Sequence, residues 1–222
     1  MKYKITVSEE LKTVAPNFVG AAISAQVVNS KYSETLWSVI QEFEEYLKAN
    51  QTVQEIKDIP TIHATREVYK KCRKDPNRYR PAGEALRRRI IRGLSLYQID
   101  TLVDLVNLVS LYTGYSMGGF DADQIVGDKL VLGIGESEEK FEGIGKGLLN
   151  IEGLPVYRDE VGGIGTPTSD EERTKIVNNT SNLLILINGY SGEEGLAEAV
   201  EYTINLLEKH AEAKDIQFKY YR

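Results

Sequence analysis

The order of strand-like and helix-like segments constrains the fold of this chain most strongly. Apolar residues at helical spacing fill most of residues 33–113. Five β-rich runs lie on either side of this region, at residues 3–7, 18–28, 129–135, 154–159 and 182–189. Because the strands are not interleaved regularly with helices, the pattern predicts an α+β fold rather than a doubly wound sheet.

Local signals predict where individual elements begin and end. Ser33 and Asp100 are suitable N-caps, and Pro81 suits the first turn of a helix. The position of Gly114 predicts that a helix ends there. The helix that begins after Ser33 should place Glu42, Glu44 and Glu45 on its solvent-exposed side. The continuous apolar run at 182–189 predicts a strand buried on both faces, and an amphipathic helix over 194–211 should lead into a last edge strand, IQFKYY.

The charge of the chain is unevenly distributed. The formal net charge is −6, yet the segment from Arg66 to Arg92 contains eleven Lys or Arg residues against three acids. The helix that begins at Pro81 should carry Arg87, Arg88 and Arg89 on its outward side. Together with Arg80 they are the RNA-binding candidates, although the same arginines would also suit a solvated helix face.

Several classes of protein are excluded by what the sequence lacks. The single cysteine, Cys72, allows neither an internal disulfide nor a multi-cysteine metal site, and the two histidines have no zinc-binding spacing. We therefore expect no metal and no cofactor. No apolar run has the length of a signal peptide or a membrane span, so we expect a cytoplasmic protein without membrane or DNA partners.

A pair of adjacent glycines in YTGYSMGGFDADQI marks the first candidate for a ligand site. Gly118 and Gly119 either let the backbone approach a ligand or turn sharply at a pocket, or supply positive φ in a loop. The following Asp121 and Asp123 could bind a cation or act as acid and base. The stretch GFDADQI is also typical of an Asx-stabilised turn into a short helix, which we favour.

Polar residues elsewhere could form the other walls of such a pocket. Asn107 and Ser110 are three residues apart on an otherwise apolar helix and share one side of it. The glycine-rich connection at 161–165 lacks the lysine of a phosphate-binding loop. The segment TPTSDEERT at 166–174 suits either a loop that ends in a helix or turn start, with Ser169 as cap and Glu172 three residues on, or the binding of a small polar ligand or a terminal ribose.

The order of these segments resembles a known family. The segments YRPAGEALRRRI, IDTLVDLVNLVSLYTGYSMGGFDADQI and EGLPVYRDEVGGIGTPTSDEERTKIVNNTSNLLILINGY are similar to the B3/B4 domain of the phenylalanyl-tRNA synthetase beta subunit. The residues that match the family pattern are Val103, Asp104, Asn107, Phe120, Asp121, Asp123, Gly162, Gly163, Thr180 and Asn182. The match spans roughly residues 78–190.

The resemblance implies both a fold and an activity. The fold would be a three-layer sheet/sheet/helix sandwich over a single domain, residues 1–222. The activity would be the hydrolysis of tyrosine mischarged onto tRNA for phenylalanine, which corrects an error that one binding site cannot prevent. The family's histidine position falls on Gly118 in this chain, so editing by that arrangement would need another group.

Two classes of function remain open from the sequence. The first is a trans-editing aminoacyl-tRNA hydrolase without synthetase activity, since no ATP-binding signature occurs. The alternative is a non-catalytic module that binds tRNA, a small amino-acid-like ligand or a protein. In either case the ligand-binding candidates are Asn107, Ser110, Gly118, Gly119, Asp121, Gly163, Thr166, Ser169 and Asp170.

Overall fold

The computed structural model describes residues 1–222 and contains two main β-sheets and a small hairpin. The strands are β1 (Lys4–Val7), β2 (Val19–Gln26), β3 (Ser116–Asp121), β4 (Lys129–Ile134), β5 (Glu142–Gly143), β6 (Gly147–Leu148), β7 (Pro155–Arg158), β8 (Gly163–Thr166), β9 (Ser169–Asp170), β10 (Asn182–Gly189) and β11 (Lys214–Tyr221). All five predicted β-rich runs contain a strand.

The two sheets differ in topology. The five-stranded sheet has the order β1-β4-β7-β8-β9, with β1 parallel to β4 and the other pairs antiparallel. The four-stranded sheet is antiparallel throughout, in the order β11-β2-β10-β3. Strand β10 is central and buried on both faces, and β11 is an edge strand, as predicted. Strand β3 forms the opposite edge.

Six helices accompany the sheets. They are α1 (Glu9–Val14), α2 (Glu34–Asn50), α3 (Pro60–Lys71), α4 (Ala82–Ile91), α5 (Thr101–Thr113) and α6 (Leu196–His210). The Ser33 and Asp100 side chains accept hydrogen bonds from backbone N–H groups in the first turns of α2 and α5. Gly114 ends α5 at a φ of 75°, which favours glycine. None of the six helices is long and apolar enough to cross a bilayer.

The layers are stacked sheet, sheet, helix. The larger apolar core lies between the four-stranded sheet and helices α2, α4, α5 and α6. A second core lies between the two sheets. Inward-facing residues of β2 alternate between the cores, since Ile23 packs under the helices and Ala22 packs against the other sheet. The predicted α+β three-layer sandwich is confirmed.

Several local predictions were wrong. The short helix α1 was not anticipated, and much of the connection at 161–165 belongs to strand β8. Gly118 and Gly119 lie within strand β3 and have no positive φ, so the interpretation as loop glycines fails. Glu44 points inward, where its Oε1 accepts the Leu96 N–H at 2.7 Å.

Candidate functional site

A cavity of about 400 Å³ opens where the outer edge of β3 faces the β8–β9 turn, beside helix α5. Seven lining residues are apolar: Ala82, Ile99, Val103, Val106, Met117, Ile144 and Ile176. The others are Asn107, Gly119, Thr166, Ser169, Asp170 and Lys175. Five of the nine predicted ligand-site residues therefore share this cavity. A mostly apolar wall with a few convergent polar groups is typical of a small-molecule site.

The glycine pair allows two layers of the molecule to approach each other at this edge. A Cβ atom on Gly119 would lie 3.0 Å from Ile176 Cδ1 and 3.3 Å from Val106 Cγ2. A Cβ atom on Gly118 would point the other way, 2.5 Å from Phe120 Cζ and 3.1 Å from Asp170 Oδ1. Apolar side chains therefore lie close to the glycine pair on one face of β3, and a carboxylate and an aromatic ring lie close to it on the other.

Asp170 is the one carboxylate among the cavity residues, and the backbone holds it in place. Its Oδ2 accepts the outward N–H of Gly119 at 3.2 Å. Its Oδ1 lies over Gly165, where a Cβ atom would approach it to 2.7 Å. The side chain thus rests on glycines from both sheets. A histidine at position 118 would need the space that Phe120 and Asp170 occupy.

The surroundings of Asp170 raise the pKa of its carboxyl group. Burial raises the pKa of this carboxyl from its ordinary value of 3.8 to about 7. The Gly119 N–H and the charge of Lys146 act in the opposite direction and offset only part of that shift. Burial in turn lowers the pKa of Lys146. A carboxyl group that titrates near pH 7 inside a cavity is suited to accept and release a proton.

Replacing Asp170 with asparagine is expected to stabilise the fold at high pH. The pKa of Asp170 is higher in the folded protein than in the unfolded chain. Between about pH 4 and about pH 7 the folded protein therefore keeps a proton that the unfolded chain has released. The free energy of unfolding falls as pH rises through this range. At about pH 8 the variant should gain stability, with an upper limit of about 4 kcal/mol. Urea denaturation at about pH 4.5 and about pH 8 measures the difference.

The matched control is Asp128→Asn, since Asp128 is exposed and lies outside the cavity, before β4. Its free energy of unfolding should change equally little at the two pH values. An Asp170→Asn variant that gains nothing at the higher pH would show that this carboxyl titrates near its ordinary value.

The hydroxyl-rich loop folds as a tight turn and ends in a short 3-10 helix, Glu172–Thr174, as predicted. Thr166 Oγ1 accepts the N–H groups of Thr168 and Ser169 at 3.2 and 3.1 Å and donates to the Ser169 carbonyl at 3.0 Å. The 3-10 turn that follows is capped by Glu171, so the prediction of Ser169 as cap was wrong. On the opposite wall, the side-chain amide of Asn107 makes no hydrogen bond within the protein and is free to meet a ligand.

The remaining predicted ligand residues lie outside the cavity lining. Ser110 donates to the Tyr115 carbonyl at 2.6 Å inside the core. Asp121 forms the favoured Asx turn by accepting the Asp123 N–H, and it also accepts the Thr180 hydroxyl. A Cβ atom on Gly163 would contact the Phe141 ring at 2.9 Å. These residues hold the walls in position rather than line the cavity.

Several arginines of the predicted basic face are buried or paired within the protein. Glu84, which is fully buried, accepts Arg66 at 2.7 Å and Arg88 at 2.7 Å. The outward orientation predicted for Arg87 was wrong, since it is 6% exposed and its guanidinium donates to Gln51 and to the Tyr112 carbonyl. It lies at the C-terminal ends of α2 and α5, where the helix dipoles favour a cation.

Further cations lie on or before α4 and beside the β8–β9 turn. Arg89 is held against the Tyr97 ring and the Ser95 carbonyl. Arg80 is exposed and lies two residues before Ala82, a cavity residue. Lys146 Nζ donates to the Thr168 carbonyl at 3.0 Å, and the Thr168 hydroxyl donates to the Tyr79 carbonyl. Arg80 and Lys146 therefore flank the same turn beside the cavity.

Sequence reasoning missed part of the cavity. Ile144 comes from the β5–β6 hairpin, Lys175 and Ile176 follow β9, and Ala82 begins α4. The backbone N–H of Ile144 donates to the Asp170 carbonyl, which fixes the hairpin next to the site. No local pattern marks these residues, because the fold alone brings them together.

Comparisons with known proteins agree with this architecture. Residues 64–214 match the family model of the B3/4 domain. Among solved structures, the chain is similar to an N-terminal fragment of the phenylalanyl-tRNA synthetase beta subunit from Pyrococcus horikoshii, with a TM-score of 0.53 and 16% identity. The superposition covers 97% of this chain and 50% of that one, so this chain spans about half the length of the fragment. No curated protein gives a significant sequence match.

Proposed function

This chain belongs to the B3/4 domain family, and we propose that its cavity binds the aminoacyl end of an aminoacyl-tRNA and promotes hydrolysis of the ester bond. The observation that carries the proposal is the position of Asp170, a carboxyl group with a pKa of about 7 inside a mostly apolar cavity. The similarity to a fragment of a phenylalanyl-tRNA synthetase subunit supports a ligand of the aminoacyl-tRNA class.

The shape and chemistry of the cavity suit an amino-acid group. A volume of about 400 Å³ falls at the small end of ligand sites in proteins. The wall formed by Val106, Met117 and Ile176 suits an apolar side chain. The unpaired amide of Asn107 can donate to the ester carbonyl, which would orient the ester and stabilise the negative charge that develops on its oxygen.

Asp170 supplies the proton transfer in this proposal. As the ionised carboxylate it accepts a proton from a water molecule while the water oxygen attacks the ester carbonyl carbon. The bond between that carbon and the ribose oxygen then breaks, and the ribose oxygen leaves with the proton from Asp170. The products are the free amino acid and the deacylated tRNA. No side-chain nucleophile and no histidine are required.

Arg80 and Lys146, which lie beside the cavity, can contact the tRNA part of the ligand. Arg80 and Lys146 flank the turn at Thr168, and a nucleotide attached to an amino acid inside the cavity would emerge beside this turn. Phosphate contacts from Arg and Lys position a nucleic acid without reading its sequence. This role replaces the one predicted for Arg87, which is buried.

The experiment is a deacylation assay with a panel of aminoacyl-tRNAs, including tyrosine mischarged onto tRNA for phenylalanine. Wild-type protein should accelerate the loss of at least one aminoacyl group above the rate without protein. Asp170→Asn should lower the acceleration by about 10²- to 10⁴-fold, the range for loss of a general base. Asp128→Asn, the same chemical change outside the cavity, should retain the wild-type rate.

Two results would contradict the hydrolase. Full activity in Asp170→Asn would remove this residue from the mechanism. No turnover with any aminoacyl-tRNA, combined with salt-sensitive tRNA binding, would favour the non-catalytic binding module, since phosphate contacts weaken steeply as salt rises.

A further inference from the structure

An exposed aromatic cluster lies on the outer surface of the helical layer. We define the aromatic groove by Phe43 and Tyr46 of α2, Tyr112 of α5 and Tyr202 of α6. The ring centroids of Phe43 and Tyr46 are 5.8 Å apart, those of Phe43 and Tyr112 are 5.3 Å apart, and those of Tyr112 and Tyr202 are 5.0 Å apart. The rings enclose an open groove of about 420 Å³.

The aromatic groove lies at the surface of the larger core, against which Phe43 and Tyr202 pack as partly buried residues. Tyr46 and Tyr112 are 59% and 57% exposed. The same helices bury other residues against the sheet, such as Ile40 of α2 and Leu108 of α5. A single exposed tyrosine needs no explanation, but rings from three helices that converge on one groove form a contiguous apolar patch. Such patches mark interaction sites.

The charge around the aromatic groove indicates what kind of partner it fits. The exposed ionisable side chains that lie within about one helical turn of the groove residues on α2 and α6 are mostly acidic: Glu42, Glu45, Glu198 and Glu201. Lys48 is paired with Glu45 at 2.8 Å, and the guanidinium of Arg87 is buried behind the groove, where it donates to the Tyr112 carbonyl. Glu42 itself lines the groove. This face would repel phosphate groups and would repel the same face of a second copy.

Tyrosine rings surrounded by carboxylates favour cationic side chains. A Lys or Arg over a tyrosine face gains a cation–π interaction, and its charge is complementary to the nearby glutamates. Apolar side chains of the same segment would fill the space between the rings. We propose that the aromatic groove is the docking site for a basic amphipathic protein segment that carries Lys or Arg beside apolar residues. This inference does not depend on the function of the cavity.

The test measures binding of a fluorescently labelled amphipathic helical peptide made of leucine and lysine. Wild-type protein should bind it, and the same peptide with glutamate in place of lysine should bind at least tenfold more weakly. Two variants should each weaken binding about tenfold or more: the double substitution Tyr46→Ser with Tyr112→Ser, and Glu42→Lys at the rim. Circular dichroism confirms that the variants are folded.

Tyr97→Ser is the matched control, because Tyr97 is 67% exposed but lies outside the groove. It should bind the peptide as wild type does. The proposal is overturned if the lysine peptide does not bind, if the glutamate peptide binds equally well, or if the groove variants retain full affinity. It is also overturned if light scattering shows self-association of the protein that the Tyr46→Ser and Tyr112→Ser changes abolish, since a second copy would then be the occupant.

Discussion

Replacing Glu84 with alanine is expected to lower the free energy of unfolding by about 3–5 kcal/mol, the range for breaking a buried ion pair. The carboxylate is fully buried and accepts hydrogen bonds from two guanidinium groups, Arg66 and Arg88. Its removal would leave two cations partly or wholly buried without a counter-charge. Equilibrium denaturation in urea measures the loss.

The matched control for this prediction is Glu67→Ala. Glu67 pairs with Lys70 at 2.6 Å, but both side chains are exposed. Exposed pairs contribute little, so the variant should lose less than about 1 kcal/mol. Glu84→Gln keeps the shape of the side chain and one acceptor oxygen and should lie between the two. Equal losses for Glu84→Ala and Glu67→Ala would contradict the buried network.

Replacing Gly165 with alanine is expected to destabilise the fold and to displace Asp170. The new methyl group would lie 2.6 Å from Phe120 Cζ and 2.7 Å from Asp170 Oδ1. Phe120 is fully buried between the sheets and has no free space to move, and Asp170 can yield only by giving up the hydrogen bond from the Gly119 N–H. Overpacking of this kind costs about 1–3 kcal/mol. Urea denaturation should show the lower free energy of unfolding, and the deacylation assay should show lower activity.

Gly133→Ala in strand β4 is the control for this substitution. A Cβ atom there would meet the flexible end of Arg158 at 2.9 Å and otherwise nothing closer than 3.6 Å. The arginine can shift, so the free energy of unfolding should change by less than about 1 kcal/mol. A Gly165→Ala variant with wild-type stability would show that the two sheets are not packed closely at this point.

Features set by neighbouring residues were predictable from the sequence. Ser33 and Asp100 cap their helices through N–H groups three residues away, and Gly114 ends α5 through its own φ angle. The Asx turn at Asp121 is equally local. The α+β class followed from the order of such segments.

Features set by distant contacts were not predictable. Arg87 has the sequence context of an exposed helix residue, yet Gln51 and Tyr112 come together around it only in the folded chain. Gly118 has the sequence context of a turn residue, yet it lies within strand β3, where a Cβ atom would come 2.5 Å from the Phe120 ring and 3.1 Å from Oδ1 of Asp170, which is 52 positions later in the sequence. Asp170 itself was among the predicted ligand residues, but its raised pKa depends on burial that no local pattern records.

If Asp170 acts as a base inside the cavity, its ionisation governs the pH dependence of deacylation. The quantity to measure is kcat/KM for the best aminoacyl-tRNA from about pH 5 to about pH 9, after subtraction of the rate without protein. We expect kcat/KM to rise with pH, to level off above an inflection near pH 7, and to lose this inflection in Asp170→Asn. A profile without an inflection, or one that Asp170→Asn shares, would contradict this role of Asp170.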